Sequence, residues 1–284
     1  MQRVLVFGAD GMLGAYVCSY LEENKYDVAR ITRNVYDIVK ETGILTPTKN
    51  DVVINCAGAI KPRVDELGTL NAILVNSAFP RKLARICGVN GTKMLHITTD
   101  CVFSGQGGKY NEDAKHDEMD VYGRTKSLGE PENCSVLRTS IIGEEFNRKS
   151  RCLLEWVKSS KDKKVNGFTN HRWNGVTCLQ LAKVIEEIIN KNLWWDGVRH
   201  VFSPKDMNKA ELVRLISDVY ELNITVKEKR DPMVGWTPLR RANTNEYFMD
   251  RTLRSKYNLF KIPDVEIQLK DLREYTVKES TGVK

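Results

Sequence analysis

The sequence predicts an α/β fold, with a Rossmann-type doubly wound parallel sheet and a smaller C-terminal substrate-binding lobe. Two observations lead to this prediction. Short β-branched runs alternate with helical stretches through the first half of the chain, and these runs are nearly continuous in apolar residues, as buried parallel strands are. The alternation loosens near residue 144. We therefore expect residues 1–145 to form a nucleotide-binding domain, joined by part of 170–200, and residues 146–284 to form mainly the second lobe.

Each predicted element rests on its local pattern. The run Val4–Phe7 is wholly apolar and indicates a buried strand, whereas Leu83, Ile86 and Cys87 recur at the spacing of one helix face. By the same criteria, the predicted strands are Val4–Phe7, Val28–Thr32, Asp51–Cys56, Met94–Thr98, Ser135–Thr139 and Ile224–Lys227. The predicted helices are Leu13–Glu23, Ala78–Cys87, Val121–Gly129, Leu153–Val157, Leu179–Ile189 and Lys209–Val219.

Composition excludes several classes of protein. The 284 residues carry a net charge of +7 without a dense basic run, so we expect no nucleic-acid partner. No apolar run approaches the length of a membrane span, and Met1 leads directly into a strand, so we expect no membrane segment and no secretory signal. The seven cysteines and four histidines are scattered, which predicts no metal site and a reduced, cytoplasmic protein.

A glycine triplet follows the first predicted strand and opens the first helix. Its spacing is Gly-x-x-Gly-x-x-Gly, from Gly8 through Gly11 to Gly14. Such glycines permit a tight turn, close approach of a pyrophosphate and close packing of helix on strand, and the helix N-terminus attracts the anion. The motif therefore predicts a dinucleotide site that also includes the intervening residues Asp10, Met12 and Leu13.

The end of the second strand selects between the two nicotinamide cofactors. An acidic residue there binds the ribose hydroxyl of NAD, whereas an arginine accommodates the additional phosphate of NADP. The sequence reads Arg30-Ile31-Thr32-Arg33 and has no carboxylate. We therefore expect NADPH, with NADH as the alternative, and Arg30 and Arg33 as its contacts.

A tyrosine and a lysine, Tyr122 and Lys126, are spaced to share one face of a predicted helix. Hydride transfer to a ketone requires a proton donor, and tyrosine is a poor one at its usual pKa of about 10. An ammonium about 4 Å away contributes up to about 4 kcal/mol, so we expect Lys126 to lower the pKa of Tyr122. Thr98 and Thr99 end a neighbouring strand, and Thr99 is the candidate for orienting the ketone oxygen.

At these motifs the chain resembles the extended short-chain dehydrogenase/reductases, and within them the dTDP-4-dehydrorhamnose reductase family. The matching segments are Gly8–Gly14, Asn55–Gly58, Thr98–Phe103, Tyr122–Lys126 with Gly129-Glu130, and Leu137–Ser140. The resemblance implies NAD(P)H-dependent reduction of C4 of a nucleotide-linked 4-keto-6-deoxyhexose in deoxysugar biosynthesis. It makes Thr99, Tyr122 and Lys126 the catalytic residues.

The resemblance also implies the remaining contacts of both ligands. The expected cofactor contacts, besides those above, are Asp37, Ile38, Cys56, Ala57, Gly58, Ala59, Asn76, Thr98, Tyr122 and Lys126. The expected substrate contacts are Thr99, Asp100, Cys101, Arg138, Thr139, Ser140, His171, Trp173, Arg241 and Asn243. For Arg138 a structural salt bridge is an equal alternative, and for Trp173 simple packing is the alternative.

Cys101 departs from the family pattern, which has tyrosine there. GDP-fucose synthase and the plant-type rhamnose synthase are similar in carrying a cysteine at this place. In GDP-fucose synthase that cysteine and a histidine epimerise C3 and C5. The resemblance therefore implies that Cys101 and His171 could catalyse epimerisation here. The alternative is that Cys101 packs as a small apolar residue and His171 binds the nucleotide.

Other functional hypotheses remain beside the reductase. One is a nucleotide-sugar epimerase or 4,6-dehydratase that recycles its cofactor. Another is a non-catalytic, NADP-binding regulatory subunit, because the regulatory β subunit of methionine adenosyltransferase is similar to this family. For partners, we expect a nucleotide-sugar substrate and allow for a homodimer.

Overall fold

A computed structural model describes residues 2–43, 46–146, 152–231, 249–257 and 259–277. Its centre is a six-stranded sheet in which each strand pairs with its neighbours in parallel. The spatial order is β10-β5-β4-β3-β1-β2. These strands are β1 (Arg3–Phe7), β2 (Asp27–Ile31), β3 (Asp51–Asn55), β4 (Lys93–Thr99), β5 (Ser135–Thr139) and β10 (Gly197–His200). The predicted parallel Rossmann-type fold is confirmed.

The strand order reverses between β1 and β3, which pair in parallel from Arg3 opposite Asp51 to Phe7 opposite Asn55. The chain leaves these two strands toward opposite sides of the sheet. A crevice therefore opens beyond their carboxyl ends, where open α/β sheets bind ligands. All five residues of β3 are buried, as expected for a strand covered on both faces.

Helices cover both faces of the sheet. On one face, α1 (Met12–Glu23) packs against α7 (Cys178–Asn190) and the core beneath them, and α9 (Val265–Glu274) also joins this layer. The other face is covered by α2 (Lys61–Leu67), α3 (Thr69–Ile73), a π-helical turn (Leu74–Ala78), α4 (Phe79–Asn90) and α5 (Val121–Leu128). Apolar side chains at helical spacing account for this packing: Leu181, Ile185 and Ile188 of α7 are fully buried.

The second lobe consists of small sheets around one helix. Strand β7 (Lys164–Phe168) pairs with β12 (Thr225–Lys229), and β8 (His171–Trp173) lies between β11 (Met207–Asn208) and β13 (Met249–Asp250). Helix α8 (Lys209–Val219) packs on β7, next to α6 (Leu153–Lys158). The short pair of β6 (Ile141–Ile142) and β9 (Val176–Thr177) links the lobe to α7.

Several elements lie where the sequence pattern predicts none. They include the helical segment between 61 and 78, the edge strand β10 and the short strands β6, β7, β8, β9, β11 and β13. Pro62 and Gly68 divide the first into short pieces, and β10 has only four residues. Such lengths are too short for a hydrophobic period to identify an element. Helix α9 was also not predicted, although its ten residues are enough to show a helical period.

The contact between α1 and the glycine turn gives a test of stability. A Cβ atom on Gly14 would lie 2.0 Å from the Gly8 carbonyl oxygen. We expect Gly14→Ala to lower the free energy of unfolding by about 1–3 kcal/mol, because backbone must move to accommodate it.

Gly88→Ala is the matched control, since the nearest atom to its added Cβ would be the Asn133 side-chain nitrogen at 3.6 Å. In the interior of α4 this change should raise the free energy of unfolding by about 0.5–1 kcal/mol. Both values are measured by chemical denaturation. A Gly14→Ala protein as stable as the parent would contradict the described packing.

Candidate active site

The glycine turn places the start of α1 at the crevice. Gly8 has a φ of 72°, in the left-handed region, and its carbonyl accepts the Gly11 N–H at 2.9 Å. A Cβ atom on Gly8 would lie 2.8 Å from Ala57, so the turn and the end of β3 are in close contact. Within the described residues, no side chain caps α1 and its first turn holds no carboxylate. The free N–H groups and the helix dipole suit a phosphate anion.

The two arginines at the end of β2 differ in their surroundings. The Arg30 guanidinium donates through Nε and Nη2 to the two Glu22 oxygens, each at 2.8 Å, and therefore lies against α1. The expectation that Arg30 contacts the cofactor phosphate is thus corrected to a structural role. Arg33 is exposed two residues beyond the strand, and nearby Asp37 accepts the backbone N–H groups of Val39 and Lys40 at 2.9 and 3.1 Å.

The chain beyond β3 forms a strip along the crevice, from Cys56 to Ala59. Asn76, in the π-helical turn, holds this strip by accepting the Ala59 N–H at 2.8 Å and donating to the Ala59 carbonyl at 3.0 Å. Its amide also donates to the Thr125 hydroxyl on α5 at 3.1 Å. Asn76 is fully buried, so its side chain shapes the strip rather than facing a ligand.

Thr99, Tyr122 and Lys126 meet at the carboxyl end of β4. The Thr99 hydroxyl accepts the Cys101 N–H at 3.1 Å and donates to Asp100 Oδ1 at 3.2 Å, and Thr99 is close enough to the Tyr122 phenol to act on its pKa. Lys126 is 5% exposed and donates through Nζ to the Ile97 carbonyl at 3.1 Å. A Cβ atom on Gly58 would lie 3.6 Å from this Nζ, so the lysine also borders the strip beyond β3.

The pKa directions correct one expectation. Burial raises the pKa of Tyr122, and the nearby Thr99 opposes that change only in part. Burial lowers the pKa of Lys126 to about 8, although the nearby Glu130 carboxylate acts to raise it. The expectation that Lys126 lowers the pKa of Tyr122 is therefore wrong for the described chain, in which Tyr122 is a neutral phenol at pH 7.

Arg251 lies beside Cys101, Lys209 interacts electrostatically with Asp100 and Cys101, and sequence reasoning missed both. Arg251 approaches the Cys101 sulfur at 3.7 Å through Nη1, donates to the Phe103 carbonyl at 2.7 Å and pairs with Glu118 at 2.5 Å. Burial raises the pKa of the Cys101 thiol to about 12. No local motif marks Arg251, because 150 residues separate it from Cys101.

Arg138 does not face the crevice. It is 1% exposed, and it donates to the Glu130 carboxylate at 3.1 and 2.6 Å and to His200 Nε2 and His116 Nε2 at 2.9 and 2.7 Å. The Phe103 ring lies 5.1 Å from its guanidinium carbon. Its substrate-binding role is therefore corrected to the alternative, a structural salt bridge.

Trp173 is also a packing residue. It is 5% exposed, and its Nε1 donates to the Ser140 hydroxyl at 2.9 Å, so neither side chain is free for a base or a sugar. Thr139 is buried next to them, with its hydroxyl on the Ser140 carbonyl at 3.2 Å. The stacking role expected for Trp173 is thus corrected to packing.

The remaining predicted positions are distributed around this site. His171 lies 3.0 Å from an Asp231 oxygen and 5.0 Å from the Phe168 ring, and burial lowers its pKa. Thr98 is buried, and within the described chain its hydroxyl has no hydrogen-bond partner. Arg241 and Asn243 lie outside the described residues. In the described ranges, no cluster of metal-ligating side chains occurs, and no helix is long and apolar enough to cross a membrane.

The fold and the site together place the chain among the extended short-chain dehydrogenase/reductases. More particularly, the chain belongs to the RmlD substrate binding domain family, whose model matches residues 1–258. The resemblance inferred from the motifs is therefore confirmed.

Named relatives and solved structures agree with this assignment. The chain is 29% identical over 229 residues to dTDP-4-keto-6-deoxy-D-glucose reductase of Streptomyces niveus, which covers 75% of this chain and 77% of that protein. It is 26% identical over 264 residues to methionine adenosyltransferase 2 subunit beta of Xenopus laevis, covering 84% and 78%. The crystal structure of dTDP-4-dehydrorhamnose reductase from Bacillus anthracis in complex with NADP superposes with a TM-score of 0.76 at 19% identity, covering 96% of this chain and 99% of that one.

The histidines around Arg138 predict a loss of stability in acid. Both accept hydrogen bonds from the guanidinium and are therefore neutral; burial and Arg138 lower the pKa of His200 from 6.5 to about 4. Since the unfolded chain takes up this proton at a higher pH, the free energy of unfolding should fall as pH decreases from 6.5 to 4, by about 3 kcal/mol for this group.

Urea denaturation at several pH values measures this dependence in the parent and in His200→Asn. The variant should show a smaller slope between pH 6.5 and 4, whatever its stability at pH 7. Identical slopes in the two proteins would show that His200 is not held neutral by Arg138.

Proposed function

We propose that this chain uses NADPH to reduce the C4 ketone of a nucleotide-linked 4-keto-6-deoxyhexose. The observation that carries the proposal is the joint placement of Thr99, Tyr122 and Lys126 at the carboxyl end of β4, where Lys126 borders the same segment, Cys56 to Ala59, that contacts the glycine turn. A bound dinucleotide and a ketone would therefore share one crevice. The similarity to the dTDP-4-keto-6-deoxy-D-glucose reductase of Streptomyces niveus and to the NADP complex of the Bacillus anthracis dTDP-4-dehydrorhamnose reductase supports the same chemistry.

The described residues fit an NADPH molecule. The turn at Gly8 and the N–H groups of α1 would hold the pyrophosphate, and exposed Arg33 would pair with the additional phosphate at the end of β2. The strip from Cys56 to Ala59 would line the ring side of the crevice. When bound, the nicotinamide supplies the hydride.

The three catalytic residues have distinct roles. Tyr122 is neutral because burial raises its pKa, so its hydroxyl can donate a proton to the oxygen that becomes the C4 alcohol. The Thr99 hydroxyl, next to Tyr122, orients that oxygen. The Lys126 ammonium, with a pKa of about 8, is charged at pH 7 and borders Gly58, so it would hold the ribose of the cofactor.

The surroundings of Cys101 and His171 favour reduction over an epimerisation catalysed by these two residues. Cys101 could remove a proton from carbon only as a thiolate, and burial raises the pKa of its thiol to about 12. His171 is occupied with Asp231 at 3.0 Å. A purely regulatory role is disfavoured because Thr99, Tyr122 and Lys126 are all present and lie together at the end of β4.

We further infer that the protein acts in the cytoplasm, since the cysteines are free thiols. A homodimer is part of the same proposal. Leu70, Leu74 and Leu128 expose apolar side chains on neighbouring helical segments, and a second copy would cover them.

Replacing the proton donor gives the first test of function. Tyr122→Phe should lower kcat for NADPH-dependent reduction of a nucleotide-4-keto-6-deoxy sugar by about 10²–10⁴-fold, because general acid catalysis is lost. NADPH binding, measured by fluorescence, should be unchanged within about threefold.

Tyr275→Phe is the matched control, because it removes a hydroxyl that lies on Ser19, away from the crevice. Its kcat should equal that of the parent. If Tyr122→Phe turned over as fast as this control, Tyr122 would have no part in the chemistry.

Arg33 gives a second test, of cofactor choice. Arg33→Ala should weaken NADPH binding by about 10–100-fold and leave NADH binding unchanged, because a charged hydrogen bond to phosphate contributes about 1.5–3 kcal/mol. Arg30→Gln, which breaks the pair with Glu22, should keep the parent's preference. Equal losses for both cofactors in Arg33→Ala would contradict the assigned contact.

A further inference from the structure

We propose that Arg251 is a positioning residue for the reduction: from the second lobe it holds the start of α5, and thereby the Tyr122 hydroxyl, in place for proton transfer to the ketone. The inference rests on the proposed function, since it assigns a residue that acts through the proposed proton donor. It stands on the contacts of one buried guanidinium with three groups at the two ends of a single loop.

The Arg251 side chain has a separate contact for each of its nitrogens. Nε donates to the Phe103 carbonyl oxygen at 2.7 Å, Nη2 pairs with a Glu118 oxygen at 2.5 Å, and Nη1 approaches the Cys101 sulfur at 3.7 Å. The Arg251 side chain is 16% exposed and the Glu118 side chain 2%. A pair this deeply buried keeps one geometry, because removing either partner would leave a buried charge uncompensated.

The three contacts fix the loop that connects β4 to α5 at both of its ends. Two of them follow β4 directly, whereas Glu118 comes three residues before α5 begins. The Glu118 carboxylate also accepts the backbone N–H groups of Met119 and Asp120, at 2.8 and 3.2 Å. Asp120 is the N-cap of α5, and its carboxylate accepts the Gly123 N–H at 2.7 Å. The guanidinium therefore holds the groups that set where α5 starts.

The same groups contact α5 beside Tyr122. A Cβ atom on Gly123, the next residue, would lie 2.3 Å from the Glu118 Cγ atom and 2.4 Å from the Cys101 carbonyl oxygen. The phenol of Tyr122 is close enough to Cys101 for the thiol to act on its pKa. A displacement of Glu118 or Cys101 would therefore be passed directly to the tyrosine.

The backbone around Arg251 is anchored to the other end of the same loop. Arg251 follows β13, which pairs with β8 of the second lobe. The Asp250 N–H donates to the Gly105 carbonyl at 2.6 Å, and the Thr252 carbonyl accepts the Tyr110 N–H at 2.9 Å. The guanidinium thus extends from a fixed backbone, and its contacts join the two lobes next to the proposed reacting centre.

Loss of these contacts should affect the chemical step more than cofactor binding. A general acid acts only within hydrogen-bond reach of the oxygen that it protonates, and a misplacement of about 1 Å can lower the rate about 100-fold. The glycine turn and the strip from Cys56 to Ala59 follow β1 and β3 instead, so NADPH binding should not depend on Arg251.

Steady-state kinetics of Arg251→Gln give the first measurement. We expect kcat to fall by about 10–100-fold with an unchanged KM for the keto sugar, because the proton donor is misplaced while the binding groups remain. Arg251→Lys should lose less, since its charge still pairs with Glu118. Arg214→Gln, which breaks an exposed ion pair with Glu228 in the same lobe, is the matched control and should behave as the parent does.

Glu118→Gln tests the pair from its other side. Its amide group faces the guanidinium in place of a carboxylate oxygen, so kcat should fall by a similar factor while Arg251 is still present. This variant also carries the test if Arg251→Gln does not fold. A kcat equal to that of the parent in both variants would overturn the proposal.

Combination with Tyr122→Phe separates positioning from other roles. If Arg251 acts through the Tyr122 hydroxyl, Arg251→Gln should lower kcat no further once that hydroxyl is absent. A residue that binds the substrate, or that only stabilises the fold, would have the same effect in both backgrounds. Equal factors in the two backgrounds would therefore overturn the proposal, as would a raised KM with an unchanged kcat.

A spectroscopic measurement makes the test independent of turnover. The ten tyrosines are replaced by fluorotyrosine, and the fluorine resonance of Tyr122 is identified by its absence from Tyr122→Phe. Arg251→Gln should shift or broaden this resonance and leave that of Tyr275, on Ser19, unchanged. An unchanged Tyr122 resonance would contradict the positioning role. A changed resonance in a protein whose parent oxidises no NADPH with any keto sugar would instead contradict the proposed function alone.

Discussion

The buried ammonium of Lys126 is the interaction on which the proposed chemistry depends. A charge that is 5% exposed requires polar partners, and Lys126 finds the Ile97 carbonyl at 3.1 Å. The carboxylate of Glu130 opposes the effect of burial on its pKa, and Arg138 in turn holds Glu130. The Arg138 network is therefore not a substrate site but a buried support that extends from the lysine toward the edge strand β10.

Parallel pairing turns this local arrangement into a site. The carboxyl ends of β1, β3 and β4 meet at one edge of the sheet, where they present the glycine turn, the strip held by Asn76 and the Thr99 hydroxyl. The second lobe contributes charge from the opposite side. Its small sheet around β8 places Arg251 beside Cys101.

The local sequence pattern was enough to predict the central strands, the glycine turn and the Tyr122–Lys126 pair. The apolar runs, the glycine turn and the helical spacing of Tyr122 and Lys126 are readable from neighbouring residues alone. Arg30 and Arg138 were harder, because an arginine at a strand end looks the same whether its partner is a ligand or a carboxylate. Glu22 and Glu130 settle the matter only in three dimensions.

Contacts between distant segments were beyond prediction from one sequence. Arg251 reaches Cys101 across 150 residues and Glu118 across 133, and neither contact has a spacing rule. The pKa of Tyr122 was also predicted in the wrong direction, because a sequence shows the neighbouring ammonium but not the burial that outweighs it.

The most direct measurement follows the hydrogen itself. NADPH carrying deuterium at C4 of its nicotinamide is incubated with the protein and each of the dTDP-, UDP-, GDP- and CDP-linked 4-keto-6-deoxyhexoses, and the products are examined by NMR. The account predicts deuterium on C4 of one sugar, in step with NADPH oxidation. Tight binding of NADPH with no deuterium transferred to any of the sugars would contradict it.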